Sequence, residues 1–207
     1  LLGWLAAAAI TALAAAFTGY ATLRLKSDYL AITTFGVAVV VQLVALNAQG
    51  LTGGPFGVAF IPRPFSSVQA QPVLFNLLNL AVIVAVTLAV YLALERLSRS
   101  PWGRVLRALR EDERAAIALG KSAQSYRIQA FAVGGAVMGL AGAVQARLIG
   151  FIAPDNYLPT LTFQVWAMLM VGGSGSNRGA VLGSIIVWAI WVGAGALSSA
   201  VVPGDWQ

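Results

Sequence analysis

Cysteine and histidine are both absent from the 207 residues of the chain, and charged residues make up only 10% of it. Without cysteine, the chain forms no disulfide, no thiolate metal site and no thiol nucleophile. Without histidine, it lacks the commonest general base near neutral pH and the commonest metal ligand. The sequence therefore predicts a protein that is not an enzyme, with no catalytic residue, no metal site and no cofactor.

Hydrophobic residues account for 59% of the chain, whereas soluble domains carry about 25% charged residues and far more polar surface. A membrane-spanning helix needs about 20 mostly apolar residues. Continuous apolar runs favour helices, because the strands of a membrane barrel alternate in polarity over about 10 residues. The stretches without Asp, Glu, Lys or Arg are 1–23, 29–62, 64–94, 128–146, 156–177 and 179–204.

Glycine and proline divide these stretches into helices. Turn residues at 51–57 and 61–64 predict a second helix that ends near Asn47. The third helix is predicted to begin near Pro72 and to run to about Leu97. The segments between these helices are expected to be loops at the membrane surface.

A later apolar piece, 160–171, has only twelve residues between loops at 153–159 and 172–179. Such a piece suits a half-helix or re-entrant segment, which is tolerated where protein buries it. The predicted fold class is all-α, a polytopic transmembrane helix bundle of about five spans plus this segment. We expect residues 1–207 to form one transmembrane domain and to be a fragment of a longer protein, because the chain begins inside an apolar run without methionine.

Basic residues predict the orientation in the membrane. Eight of the thirteen lie between residues 95 and 127, and Lys and Arg concentrate in cytoplasmic loops. The loop 98–127 is therefore predicted to be cytoplasmic, as is the basic turn at 24–26, while the loops at 49–71 and around Asp155 are predicted to lie outside. This placement explains the net positive charge, so no nucleic acid partner is expected, since the basic face of a soluble nucleic-acid-binding fold is absent.

Two short helices are predicted within the cytoplasmic loop. Ser100 can cap the first, with Pro101 at its first position. Asp112 can cap the second, at 113–119, and Gly120 can end it in a left-handed conformation. Val105, Leu106 and Leu109 are expected to form the apolar stripe of the first helix.

The second of these short helices carries small side chains that would let another protein approach closely. Ala115, Ala116 and Leu119 are expected to form a shallow face. A rim of mixed charge surrounds it, consisting of Arg110, Glu111, Asp112, Glu113 and Arg114. The alternative is a solvated loop whose charges only set the topology.

The sequence Arg114-Ala-Ala-Ile-Ala-Leu-Gly120 resembles the Glu-Ala-Ala-x-x-x-Gly signature of permeases in ABC importers, with Arg114 in place of the glutamate. The longer string 100–120 is similar to the same loop in branched-chain amino acid permeases of the LivM type. Further stretches resemble that family in the same order, namely 29–36, 51–57, 139–143 and 172–176.

The resemblance implies a permease domain that forms the translocation path for leucine, isoleucine and valine in the bacterial cytoplasmic (inner) membrane. It implies two ATP-binding cassette ATPase subunits, a second related permease subunit, an extracytoplasmic amino acid-binding protein and membrane lipid as partners. It further implies that a short helix couples the permease to the ATPase. The candidate coupling residues are Arg110, Glu111, Asp112, Glu113, Arg114, Ala115, Ala116, Leu119 and Gly120.

Polar residues inside the spans are few, and none is acidic at mid-span, which argues against a proton-coupled carrier. The candidates for lining a path are Thr33, Thr34, Gln42 and Gln164, although these side chains could equally bridge helices. Arg147 is expected to lie near the outer end of its helix. Glycines at 134, 135, 139 and 142 predict close helix packing.

Other functions remain open at this point. A sister ABC permease for urea, short amides or another amino acid would share the same features. An ATP-independent channel would not need the helix at 114–120, so loss of transport after Ala116→Asp would favour the importer.

Overall fold

The computed structural model describes residues 2–22, 27–63 and 71–201. Nine helices lie in this part of the chain. They are α1 Leu2–Thr22, α2 Ser27–Asn47, α3 Gln49–Thr52, α4 Pro72–Arg99, α5 Pro101–Glu111, α6 Glu113–Ala118, α7 Ala123–Ile149, α8 Pro159–Gly172 and α9 Asn177–Val201. The only strands described are a two-residue pair, β1 Val58–Ala59 and β2 Phe151–Ile152, so the all-α prediction is confirmed.

Five of the described helices are long and apolar enough to cross a membrane. They include α2 and α4, which end and begin where the turns predict, at Asn47 and Pro72. Helix α8 is not among the five, because its 14 residues span only about 21 Å of a hydrocarbon core about 30 Å thick. The count of five spans and one short helix is confirmed, while the re-entrant path of α8 stays a prediction.

The chain divides into two compact units, Leu1–Asn156 and Tyr157–Gln207. The single transmembrane domain therefore stays a prediction. Large apolar side chains are exposed along α1, α2 and α4 within the first unit. This reverses the pattern of a soluble protein and suits helices surrounded by lipid or by further helices. The predicted basic turn at 24–26 lies outside the described residues.

Helices α1 and α7 form an antiparallel pair that dominates the first unit. Gly19 lies against Phe131 near the end of α1, and a Cβ added there would come within 3.2 Å of the Phe131 ring. Near the start of α1, the Arg147 guanidinium lies 6.0 Å from the centre of the Trp4 ring. Arg147 lies in the last turn of α7, and that this end of the helix lies outside stays a prediction.

The middle of the α1–α7 pair is held by backbone contact. A Cβ added to Gly139 would overlap Thr11 Oγ1 and approach the carbonyl oxygen of Ala7. A Cβ added to Gly135 would overlap the side chain of Ala15. The glycine pattern thus predicted the contact correctly at 135 and 139, whereas Gly134 faces open space.

The loops that were predicted to lie outside meet at one end of the helices. Strands β1 and β2 are antiparallel, with Val58 opposite Ile152. The Ile61 N–H donates to the carbonyl oxygen of Gly150 at 3.1 Å. Gly57 has a φ of 67°, and a side chain there would overlap the Ile152 carbonyl oxygen. Two loops far apart in sequence therefore share one side, as the predicted topology requires.

Helices α8 and α9 pack together within the second unit. Side chains at Gly172 and Gly183 would overlap the backbones of Gly179 and Met168, so the two helices touch backbone to backbone. The Ser176 hydroxyl accepts a hydrogen bond from the Gly179 N–H at 3.0 Å and caps α9. The predicted break in the glycine-rich stretch is confirmed as a turn between these two helices.

Candidate coupling surface

The corner between α4 and α5 is fixed by Ser100. Its hydroxyl donates to the carbonyl oxygen of Leu97 at 2.6 Å and accepts from the N–H of Gly103 at 3.4 Å. Pro101 fills the first position of α5, as predicted. A side chain at Gly103 would overlap the backbone of Ser98, so glycine is what lets the chain turn tightly there. The direction of α5 is therefore set by the C-terminal end of α4.

Helix α6 is closed at both ends by local hydrogen bonds. The Asp112 carboxylate accepts from the N–H of Ala115 at 3.0 Å. At the other end Gly120 has a φ of 77°, and the N–H groups of Gly120 and Lys121 donate to the carbonyl oxygens of Ile117 and Ala116. This is the glycine-terminated helix end that the sequence predicts. The helix ends at Ala118, one residue before the predicted limit.

A small apolar core joins α5, α6 and the start of α7. Leu109, Ala116 and Ala123 are buried, and Val105 and Tyr126 pack against them. Ala116 is only 4% exposed. The prediction that Ala116 shares an outward face with Ala115 and Leu119 is therefore wrong, because α6 rests on this core through its Ala116 side.

Two side-chain contacts attach this segment to α7. Arg127 Nη2 lies 2.7 Å from Glu113 Oε2, and each side chain is 41% exposed. The Trp102 indole N–H donates to Gln129 Oε1 at 2.7 Å. The segment between α4 and α7 is thus fastened to α7 from both short helices.

The outward side of α6 combines apolar side chains with a charged rim. Ile117 is 51% exposed and Leu119 is 80% exposed, with Ala115 and Gly120 beside them on the surface. The exposed members of the predicted rim are Arg110, Glu111, Asp112 and Arg114. Glu113 is only partly exposed, because it is paired with Arg127. We define the α6 surface as the predicted coupling residues at 110–120, with Ile117 added and Ala116 removed.

Sequence reasoning missed Ile117 and Arg127. Residues 115–119 are all apolar, so no periodicity shows which of them point outward on a helix shorter than two turns. Arg127 is one of the eight basic residues at 95–127, and nothing in the sequence distinguishes it from the others. Its 14-residue separation from Glu113 exceeds the three- or four-residue spacing that reveals pairs on one helix.

The predicted path residues on α2 do not share one face. Thr33 and Gln42 are nine residues apart, which at about 3.6 residues per turn places them on opposite sides of the helix. Thr33 and Thr34 each donate a hydrogen bond to a carbonyl oxygen of their own helix, at 2.7 Å and 2.9 Å. Gln164 belongs to the second unit. That Thr33, Thr34, Gln42 and Gln164 line a translocation path stays a prediction.

An apolar groove of ≈ 450 Å³ separates parts of α4 and α7 in the first unit. Aliphatic side chains line it, and its polar lining consists of Thr87 on α4 and Gln145 on α7. Sequence reasoning did not single out Thr87, because one threonine in an apolar run gives no spatial signal.

Five apolar spans and a capped helical segment between two of them define a multi-pass membrane protein. The family model described as branched-chain amino acid transport system / permease component matches residues 1–206. The chain belongs to this family, which is a class of transport permeases and not of enzymes, and the resemblance is confirmed.

Three relatives illustrate the match. The high-affinity branched-chain amino acid transport system permease protein LivM of Escherichia coli (strain K12) is 34% identical over 205 residues, covering 87% of this chain and 48% of the relative. The probable branched-chain amino acid transport permease protein LivM of Methanocaldococcus jannaschii is 33% identical over 168 residues, covering 77% and 46%. The autoinducer 2 import system permease protein LsrC of Yersinia enterocolitica is 30% identical over 146 residues, covering 68% and 39%.

The chain thus spans about half the length, or less, of the curated relatives it matches. No solved structure matches it significantly.

Proposed function

We propose that the chain forms part of the permease of an ABC importer that carries branched-chain amino acids across a bacterial cytoplasmic membrane. The observation that carries this proposal is the family match over residues 1–206. The names of the LivM relatives support leucine, isoleucine and valine as the transported molecules. The permease itself makes and breaks no bonds, and the energy comes from ATP hydrolysed by partner subunits.

The α6 surface is the proposed docking site for an ATP-binding cassette ATPase. It lies in the segment that the positive charges assign to the cytoplasm. Ile117 and Leu119 expose apolar area there, and covering such area contributes about 25 cal/mol per Å². Small Ala115 and Gly120 beside them let a partner approach closely. Six basic and three acidic side chains at 104–127 favour an acidic groove on that partner.

The remaining partners complete the proposed transporter. An extracytoplasmic binding protein delivers the amino acid to the side where β1 and β2 pair, and a second related permease subunit completes the path. Closure of two ATPase subunits on ATP displaces α6 in each permease. This displacement biases the helices between outward-open and inward-open states, so that two distant sites are coupled through one equilibrium.

The LsrC likeness supports a second candidate for the transported molecule. That relative is named as an autoinducer 2 importer permease, so one family fold accompanies more than one cargo. The fold and the α6 surface would be the same in either case, and the two candidates differ only in the residues of the path.

The test uses the full-length protein co-expressed with the genes beside it and purified by a tag on this subunit. We expect an ATPase to co-purify and its activity to rise when leucine-loaded binding protein is added. Leu119→Asp should abolish the stimulation, because it places a charge on the docking surface, whereas Leu119→Met keeps the surface apolar and should retain it. Absence of any co-purified ATPase would refute the importer and favour a channel. Stimulation by another ligand alone would refute the branched-chain cargo.

A further inference from the structure

Two arginine–glutamate ion pairs lie in the described part of the chain, one within a single helix and one between two helices. Arg99 Nη2 lies 2.6 Å from Glu95 Oε1, one turn away on the same helix α4. Arg127 Nη2 lies 2.7 Å from Glu113 Oε2 and joins α7 to α6. The first pair links residues that one helix already fixes, whereas the second links two different helices.

Helix α6 is attached to its surroundings at four points. Its middle rests on the small core through Ala116. Its C-terminal end continues within a few residues into α7, which begins at Ala123. Its N-terminal end follows α5 after the single residue Asp112 and is joined to α7 by the Glu113–Arg127 pair. Ala116 contributes only one methyl group to the core, so loss of the ion pair would leave α6 freer to rotate about Ala116 relative to α7.

Helix α7 in turn packs closely against α1. Gly135 and Gly139 bring the two backbones into contact with no space left for a side chain. Densely packed interiors transmit displacement instead of absorbing it. The groove of ≈ 450 Å³ that Thr87 and Gln145 line separates α7 from α4 over part of their length. A displacement that enters α7 from α6 is therefore passed to α1 more directly than to α4.

We propose that Arg127 is a positioning residue that makes α7 follow α6 when a bound ATPase displaces α6. This proposal rests on the proposed function and adds to it the route by which the displacement enters the membrane helices. Arg127 pairs with Glu113, the member of the α6 surface that is only partly exposed. Its role is to hold the N-terminal end of α6 to α7. A displacement of α6 then moves α7 as well and does not merely rotate α6 about Ala116.

The expected effect is moderate. Each side chain of the pair is 41% exposed, and water screens ion pairs of this kind. Removal should therefore leave the protein folded and change the coupling equilibrium about two- to five-fold. Because the Glu113–Arg127 pair contributes little to stability, the experiment can distinguish a loss of coupling from a loss of the fold.

The test measures ATP hydrolysed per leucine transported in proteoliposomes containing the full-length protein, its ATPase subunits and its binding protein. Arg127→Gln should raise this ratio about two- to five-fold with the complex still assembled. Glu113→Gln breaks the same pair from the other side and should have the same effect. The exchanged pair, Glu113→Arg with Arg127→Glu, should return the ratio toward the wild-type value.

Arg99→Gln is the matched control, because it removes a similar ion pair that lies within one helix. The proposal is overturned if Arg127→Gln leaves the ratio unchanged, if Arg99→Gln raises it equally, or if the exchanged pair fails to restore it. It is also overturned if Arg127→Gln releases the ATPase, since Arg127 would then serve docking. A wild-type complex that hydrolyses no ATP in response to leucine would instead refute the proposed function.

Discussion

Helices α1 and α7 meet backbone to backbone, whereas α5, α6 and the start of α7 meet through side chains and caps. The first contact is centred on Gly135 and Gly139, where no side chain fits. The second consists of a small apolar core around Ala116 and an ion pair between Glu113 and Arg127. The α1–α7 contact depends on close packing at glycine. The contact of α5 and α6 with α7 includes two polar side-chain links, Glu113–Arg127 and Trp102–Gln129.

The surrounding solvent explains this difference. Lipid tails are as apolar as leucine, so helices in the membrane gain little from burying apolar side chains and associate through close van der Waals packing. In water, a short segment must satisfy its own helix ends and gains stability from covering even a few apolar groups. The α1–α7 pair is therefore sensitive to added volume, and the α5–α6 segment is sensitive to lost or misplaced polarity.

Ala116→Asp should have the largest effect of the stability predictions that follow. It places a carboxylate beside Leu109 and Ala123 in the small core, which should destabilise the α5–α6 segment by about 2 kcal/mol or more. Leu119→Asp adds the same charge at a side chain that is 80% exposed and should leave the segment folded. Hydrogen exchange of the amides at 105–126 compares the two variants. Equal protection in both would contradict the inward position of Ala116.

Because Ala116 is buried, its substitution by Asp is not a clean test of docking. Loss of transport in that variant would follow from local unfolding as well as from a blocked partner. Leu119 provides the better test, since its side chain faces outward.

Gly139→Ala should have the next largest effect and acts on the α1–α7 pair. The added methyl group would overlap Thr11 Oγ1 and press on the Ala7 carbonyl oxygen, and overpacking of this kind costs about 1–3 kcal/mol. Gly134→Ala, on the open side of α7, is the matched control and should leave stability unchanged or raise it. Thermal unfolding of the detergent-solubilised protein compares the two midpoints. A lower midpoint for the control than for Gly139→Ala would argue against the observed register of the pair.

Much of the architecture could be predicted from the sequence, for definite physical reasons. Spans follow from the length of charge-free runs, and helix ends follow from residues with strong local preferences, such as Ser100, Asp112 and Gly120. The contact of Gly135 and Gly139 with α1 is visible as a small-residue repeat, although the repeat does not name the partner helix. These signals are all local in the chain.

The candidate site was less predictable, because its geometry depends on contacts between distant residues. The inward side of α6 is set by where Leu109 and Ala123 lie, and five consecutive apolar residues give no hint of that. The Glu113–Arg127 pair joins residues on two helices, and the α4–α7 groove brings Thr87 near Gln145. No pattern along the chain encodes such pairs.

Asp112→Ala should have the smallest effect of the three stability predictions and tests the helix caps of the α5–α6 segment. The Asp112 carboxylate accepts the Ala115 N–H at 3.0 Å, and loss of such a cap costs about 1 kcal/mol. The amides of α6 should therefore exchange about five-fold faster, since each 1.4 kcal/mol is a factor of ten. Asp112→Asn keeps a capping oxygen and should exchange like the wild type, with α1 and α7 unaffected in both variants. Faster exchange throughout α7 would instead show that the cap stabilises the α1–α7 pair as well, and the two regions would no longer be independent.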